Sequence, residues 1–240
     1  MIPFKNYSNL QEKISLEYHD TLNPKIWDKQ KLKPDVRKKL LEIANTWKDF
    51  AKIPDRLVQD ITLTGGNANY NYTDSSDLDV HIILDRNELN PDRELVDEYL
   101  QDKKILWSLT HNIHVYGYPI ELYAQDVNTE LVAGGVYSLL ADKWIKIPVH
   151  GNFNFANDKN LENKAQHYMD LIDKMIDSKM DIEAFHKLKK KIADLRSSGL
   201  KKGGEFSFEN LLFKELRNQG YLDKMNQYER SIKDKELSLD

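Results

Sequence analysis

Residues 61–85 read ITLTGGNANYNYTDSSDLDVHIILD, and the alternation within this stretch decides the fold. A β-branched run ends in Gly65-Gly66, a polar linker of ten residues follows, and Asp77 and Asp79 then open a second apolar run. Side chains of an extended strand point to alternate faces, so residues two apart share a side. Asp77, Asp79 and His81 fall on one face, and Leu78, Val80, Ile82 and Leu84 on the other. One side of this strand is therefore core, and the other begins with two carboxylates. Neighbouring carboxylates repel, and a divalent cation relieves that repulsion. Hard oxygen ligands suit magnesium or manganese.

The glycines point the same way. A Gly-Gly pair after a strand lets backbone amides approach an anion closely, because no Cβ intervenes. A helix beginning after Gly66 would add its N-terminal amides. An anion cradle beside paired acids suits a nucleoside triphosphate and its metals. The competing reading of TDSSD is an ordinary polar turn, since Asp and Ser favour turns.

A strand, Gly-Gly or Gly-Ser, about ten residues and Asp-x-Asp on the next strand together resemble the signature of the DNA polymerase β-like nucleotidyltransferase superfamily. The sequence is similar to predicted nucleotidyltransferases of bacteria and their phages. The likeness covers about the first 125 residues. Many members carry Ser where Gly66 stands. The superfamily's third acid lies on a later strand. Here HVYGYPIELYAQD supplies Glu121 between apolar Ile120 and Leu122. The resemblance implies that Asp77 and Asp79 bind two Mg2+ or Mn2+ ions and that Glu121 binds the ion that activates an acceptor hydroxyl. In such a site one cation activates the attacking oxygen and the other holds the triphosphate and leaving group.

Outward from this centre the elements follow from periodicity. From Pro34, the spacing of Val36, Leu40, Ile43, Trp47 and Phe50 is helical, while residues 1–33 receive no assignment. Strands are expected at 60–64 and 78–84. A helix is expected over 92–110 through Leu95, Tyr99, Leu106 and Leu109. His111 to Gln125 reads as a hairpin bending at Gly117. Residues 135–148 form either another hairpin or a short helix and a strand. After a linker, GNFNFAND, helices are expected at 158–179, 181–197, 207–218 and 221–232, with Ser207 as an N-cap and Gly220 as a stop. The expected fold is α+β: a mixed nucleotidyltransferase-type sheet with flanking helices over residues 1–150, then an α-helical domain over 151–240, the active site lying between them.

Composition narrows the partners. The 240 residues are 40% hydrophobic and carry a formal net charge of −4, so no global basic field favours a long nucleic acid. The absence of cysteine excludes disulfides and thiolate metal sites. The start, MIPFKNYSNLQEK, lacks a basic-then-apolar signal pattern, and no apolar run approaches the ~18 residues of a spanning helix. A soluble, cytoplasmic protein without membrane contact is expected.

Secondary candidates remain. Residues 186–202, HKLKKKIADLRSSGLKK, hold seven Lys or Arg against one acid. Such a run is either a solvated helix face or a phosphate-contacting patch. Lys187, Lys190, Lys191 and Arg196 are the candidates, with Lys191 and Arg196 flanking the apolar stripe and favoured to bind triphosphate. Lys143 and Lys146 are weaker ones. Tyr70 and Tyr72 either stack on a base or anchor the linker. His81 is either a donor to Asp79 or a partly buried histidine bonded to a neighbour, the latter being preferred. The reading is a metal-dependent enzyme that moves a nucleoside monophosphate from a triphosphate such as ATP to an unspecified hydroxyl acceptor and releases pyrophosphate. The alternatives are a non-catalytic nucleotide-binding or antitoxin-like module on the same fold, and a protein adenylyltransferase.

Overall fold

The apolar spacing after Pro34 produces the first long helix. The computed structural model describes residues 16–74, 76–130, 133–151 and 158–239. In it, helix α1 runs Pro34–Phe50 with the proline in its first turn, where a missing N–H costs nothing. Val36, Leu40, Ile43, Ala44 and Trp47 are its buried face. Ahead of α1, within the stretch left unassigned from sequence, two short strands, β1 (Trp27–Asp28) and β2 (Lys31–Leu32), form a hairpin. Trp27 is buried and stacks on Trp144 with ring centroids 4.7 Å apart. Aromatic anchoring thus ties this stretch to the sheet.

The sheet is mixed and six-stranded. Strand β3 (Val58–Thr64) pairs antiparallel with β4 (Leu78–Leu84). Burial along β4 alternates residue by residue, with Leu78, Val80, Ile82 and Leu84 fully buried, as the parity requires. Helix α2 spans Arg93–Thr110, and the Asp92 carboxylate caps it by accepting from the Leu95 amide at 3.2 Å. Strands β5 (His114–Val115) and β6 (Tyr118–Asp126) form the expected hairpin. Tyr116 and Gly117 both have positive φ there, as a two-residue type I′ turn demands. Residues 135–148 take the hairpin alternative, as β7 (Val136–Ser138) and β8 (Lys143–Lys146). The order is β5-β6-β4-β3-β7-β8, and β4 with β6 is the parallel pair.

One face assignment is corrected. The residues of α2 turned inward are Val96, Leu100 and Trp107, whereas Leu95, Tyr99, Leu106 and Leu109 are exposed. The helix carries two apolar stripes, and the one holding the large Trp107 ring, packed 5.4 Å from the Phe50 ring, faces the core.

The chain divides into two compact units, one of Glu17–Phe153 and a helical one containing Asn154–Asp240. The linker expected at 151–158 falls mostly outside the described residues. In the helical unit α3 (Lys159–Asp177) starts at an Asp158 cap and α4 (Ile182–Gly203) at an Asp181 cap. Helix α4 continues six residues past the expected end. Gly199 lets it do so against its neighbour, for a Cβ there would meet Ser207 Oγ at 2.7 Å. Helix α5 is Phe208–Asn218, and α6 is Tyr221–Leu237. Ser207 holds the N-cap position of α5 but makes no capping hydrogen bond. Gly220 separates α5 from α6 in the left-handed conformation.

The fold is α+β: a mixed sheet with flanking helices, followed by a helical C-terminal half.

Candidate metal centre

Three strands bring the acids together. Asp79 is the first residue of β4 on the face away from the core, and Asp77 lies just before the strand. Because β6 runs parallel to β4 in the register Asp79↔Glu121, the third acid sits directly beside the second on the same face. On the other flank β3 sets Thr64 opposite Asp79. One ligand oxygen from each of Asp77, Asp79 and Glu121 lies within 4.8 Å of the others. The cluster foreseen from strand parity is thus formed.

Gly65 makes this geometry possible. Its backbone has φ 80° and ψ −162°, a region essentially restricted to glycine. A Cβ there would meet Asp79 Oδ2 at 1.7 Å and Cγ at 2.8 Å. The Asp79 carboxylate rests on the glycine backbone, so the glycine is needed by the acid itself before any anion is considered. Gly66 is less constrained, with a Cβ meeting Ser76 Oγ at 3.2 Å. The helix considered after Gly66 is a single 3-10 turn, Gly66–Ala68.

The charge at the centre is partly offset by a lysine that sequence reasoning did not single out. Lys104 Nζ, from α2, lies 2.5 Å from Glu121 Oε1 and 5.2 Å from the Tyr123 ring centre. Burial pushes the Glu121 carboxyl up, but the Lys104 hydrogen bond and charge, with a further hydrogen bond from Asp77, hold it below the usual glutamate value. Three convergent carboxylates form a hard, all-oxygen donor set, and that chemistry fits Mg2+ or Mn2+.

Buried amides hold the acid-bearing loop. Asn67 is 0% exposed. Its Nδ2 donates to the Asp77 carbonyl at 2.8 Å, and its Oδ1 accepts from Asn23 Nδ2 at 2.7 Å. Its own carbonyl accepts from Trp27 Nε1 at 2.7 Å. Asn67 therefore fixes where β4 begins and hence where Asp77 points. An asparagine in the linker is visible in the sequence, but its partners are 44 and 10 residues away.

His81 takes the preferred reading: its Nδ1 pairs with Gln125 Oε1 at 2.6 Å, and burial pushes its pKa down. Tyr70 is buried beside Tyr18 and His150, and Tyr72 stacks on His19 with centroids 3.9 Å apart. Both tyrosines anchor the linker.

In the helical unit, the basic run divides by role. Arg196 places its guanidinium over the Phe213 ring at 4.2 Å, a packing position. Lys189 pairs with Glu229 at 2.7 Å, and Lys187 with Glu183. Lys191 is exposed and lines an open groove with Lys187, Lys190, Asp194, Leu195 and Ser198. Lys143 and Lys146 are exposed on β8.

No protein-family profile matches the chain, and no curated protein matches it significantly. Among solved structures it is similar, at 14% identity and a TM-score of 0.22, to a STING-associated CdnE c-di-GMP synthase from Capnocytophaga granulosa. The alignment covers 79% of this chain and 62% of that one, so the chain spans less than two thirds of that enzyme's length. A likeness this distant carries no weight for function. Among the described residues no helix is long and apolar enough to cross a membrane.

Proposed function

We propose that the chain is a metal-dependent nucleotidyltransferase. The observation that carries this reading is the convergence of Asp77, Asp79 and Glu121 at the mouth of a strand–Gly-Gly–strand unit. Asp77 and Asp79 would hold the cations, with Glu121 as the third ligand. The Gly65-Gly66 backbone would contact the triphosphate. Lys191 and Arg196 were expected to bind triphosphate too, and the stack of Arg196 on Phe213 supports a packing part within the helical unit instead. When bound, Mg2+ or Mn2+ supplies Lewis-acid stabilisation of phosphate charge and lowers the pKa of a coordinated hydroxyl. In the overall reaction the acceptor oxygen bonds to the α-phosphorus, and the bond to the β-phosphate oxygen breaks. Pyrophosphate leaves with the electron pair, and the hydroxyl proton passes to a carboxylate or to water. Asn67 and Gly65 keep two of the three carboxylates in place throughout. The test is pyrophosphate release from each nucleoside triphosphate with Mg2+ or Mn2+, in wild type and in Asp79→Asn. Release by wild type that Asp79→Asn lacks supports the reading, and equal release by both sinks it.

One observation favours a second reading, a nucleotide-binding module without turnover. Lys104 already neutralises Glu121, as a protein that binds nucleotide without a third metal ligand would have it. Such a module binds nucleotide but releases no pyrophosphate with any acceptor. Labelled ATP incubated with the chain and a cell lysate also separates a protein adenylyltransferase, which leaves label on a protein band.

A further inference from the structure

Lys104 brings a positive charge into a centre built from three acids. Its Nζ lies 2.5 Å from Glu121 Oε1, and its side chain is 26% exposed. The same Nζ sits 5.2 Å from the centre of the Tyr123 ring. Tyr123 is two residues beyond Glu121 on β6 and shares its face. That ring is itself held. Arg86 donates to its hydroxyl at 3.3 Å and places its guanidinium 5.7 Å from the ring centre, and the His81 ring meets it edge-on at 5.3 Å. The ammonium is therefore seated twice, by a charge-assisted hydrogen bond and by an aromatic face.

Charge balance says what that seat does. With all three carboxyls ionised, Asp77, Asp79 and Glu121 carry three negative charges, and Lys104 cancels one. The remainder is the charge of a single divalent ion. Two divalent ions in one centre normally stand about 3.5–4 Å apart. In a cluster whose ligand oxygens lie within 4.8 Å of one another, an ion between Asp77 and Asp79 puts its neighbour against Glu121, where the ammonium already sits. A divalent ion there would meet twice the repulsion that acts between two single charges. A carboxylate has two oxygens, so Glu121 can serve the lysine with Oε1 and the first ion with Oε2.

We propose that the protein supplies a place for one divalent cation, at Asp77 and Asp79, and that the Lys104 ammonium stands in for a second cation at Glu121, instead of the two ions that the resemblance implies. The inference rests on the nucleotidyltransferase reading and narrows it. An ammonium is a compact charge with three donors, so at this position it can hold an oxygen of the acceptor or of a phosphate by hydrogen bonds. It stabilises charge on that oxygen without coordinating it.

Counting bound Mn2+ on the full chain without nucleotide tests this, with the unbound ion read by electron paramagnetic resonance up to about 100 times the first Kd. Wild type binds one ion per chain. Lys104→Met and Lys104→Gln, which remove the charge, bind two, and Lys104→Arg, which restores it, returns to one. A merely structural lysine would change the metal-free melting temperature and leave the count at one. Two ions in wild type, or one in both neutral variants, overturns the inference. Pyrophosphate release by a wild type that binds two ions leaves the nucleotidyltransferase reading standing, whereas a wild type that binds none ends both.

Discussion

Replacing Gly65 by alanine adds one methyl group at the most crowded point of the acidic centre. The added Cβ would lie 1.7 Å from Asp79 Oδ2. To reach even the 3.0 Å below which real Cβ contacts essentially never fall, the carboxylate must retreat by about 1.3 Å. It cannot do so freely, because β4 is held between β3 and β6 in fixed register. The backbone adds its own penalty, since φ 80° with ψ −162° costs a residue with a Cβ about 1–3 kcal/mol. A loss of that size lowers Tm by roughly 3–10 °C. An acid displaced by about 1 Å costs about 100-fold in turnover. Gly66→Ser is the matched control, because its Cβ meets only the Ser76 hydroxyl, at 3.2 Å, and that side chain can rotate. The assays are calorimetric Mn2+ binding, pyrophosphate release and thermal melting without metal. Gly65→Ala should lose affinity, turnover and Tm, and Gly66→Ser should keep all three within about 0.5 kcal/mol. Wild-type Mn2+ affinity in Gly65→Ala would refute the close seating of Asp79 on the glycine.

Five further outcomes are expected. Asp77→Asn and Asp79→Asn should each abolish pyrophosphate release while leaving the metal-free Tm unchanged or slightly higher, since removing one charge relieves carboxylate repulsion. Mn2+ at about 100 times its Kd should stabilise wild type by about 2.7 kcal/mol and leave those variants unmoved, as read by melting. Lys104→Met should tighten Mn2+ binding several-fold by removing the cation that competes for Glu121; unchanged or weaker binding would make Lys104 a structural support. Lys104 also sets a pH dependence of known sign. Glu121 is held below its usual value, so its contribution to stability is full above the ordinary glutamate range and lost as pH falls through the folded value. Acid melts of Lys104→Met should show that loss beginning at higher pH. Asn67→Ala should strand the buried Asn23 amide and the Asp77 carbonyl, costing about 1–3 kcal/mol for each, measured by urea unfolding.

The site was legible where its geometry is local. Asp77, Asp79 and the apolar set of Leu78, Val80, Ile82 and Leu84 follow from a period of two within eight residues. A strand that buries one face has no freedom to slip. Glu121 followed from the same parity, but only on the supposition that its strand lies beside β4, which the resemblance supplied and the parallel register bears out. Lys104 and Asn67 were not legible for a different reason. Nothing in a helix of mixed charges marks one lysine as the partner of a carboxylate 17 residues on, and nothing in a polar linker marks one asparagine as buried. Their roles arise only once the register of β4 and β6 and the seating of α2 are fixed.

Helix α2 shows how an element can be read correctly and its orientation wrongly. Its bounds were expected to within a residue, because the apolar period is helical. The inward face was misassigned because the period fits two stripes equally well. The stripe through Leu95, Tyr99, Leu106 and Leu109 offers four apolar side chains and the other only Val96, Leu100 and Trp107, so counting favours the wrong one. Volume reverses the choice, for burying the Trp107 ring against Phe50 outweighs one more aliphatic group.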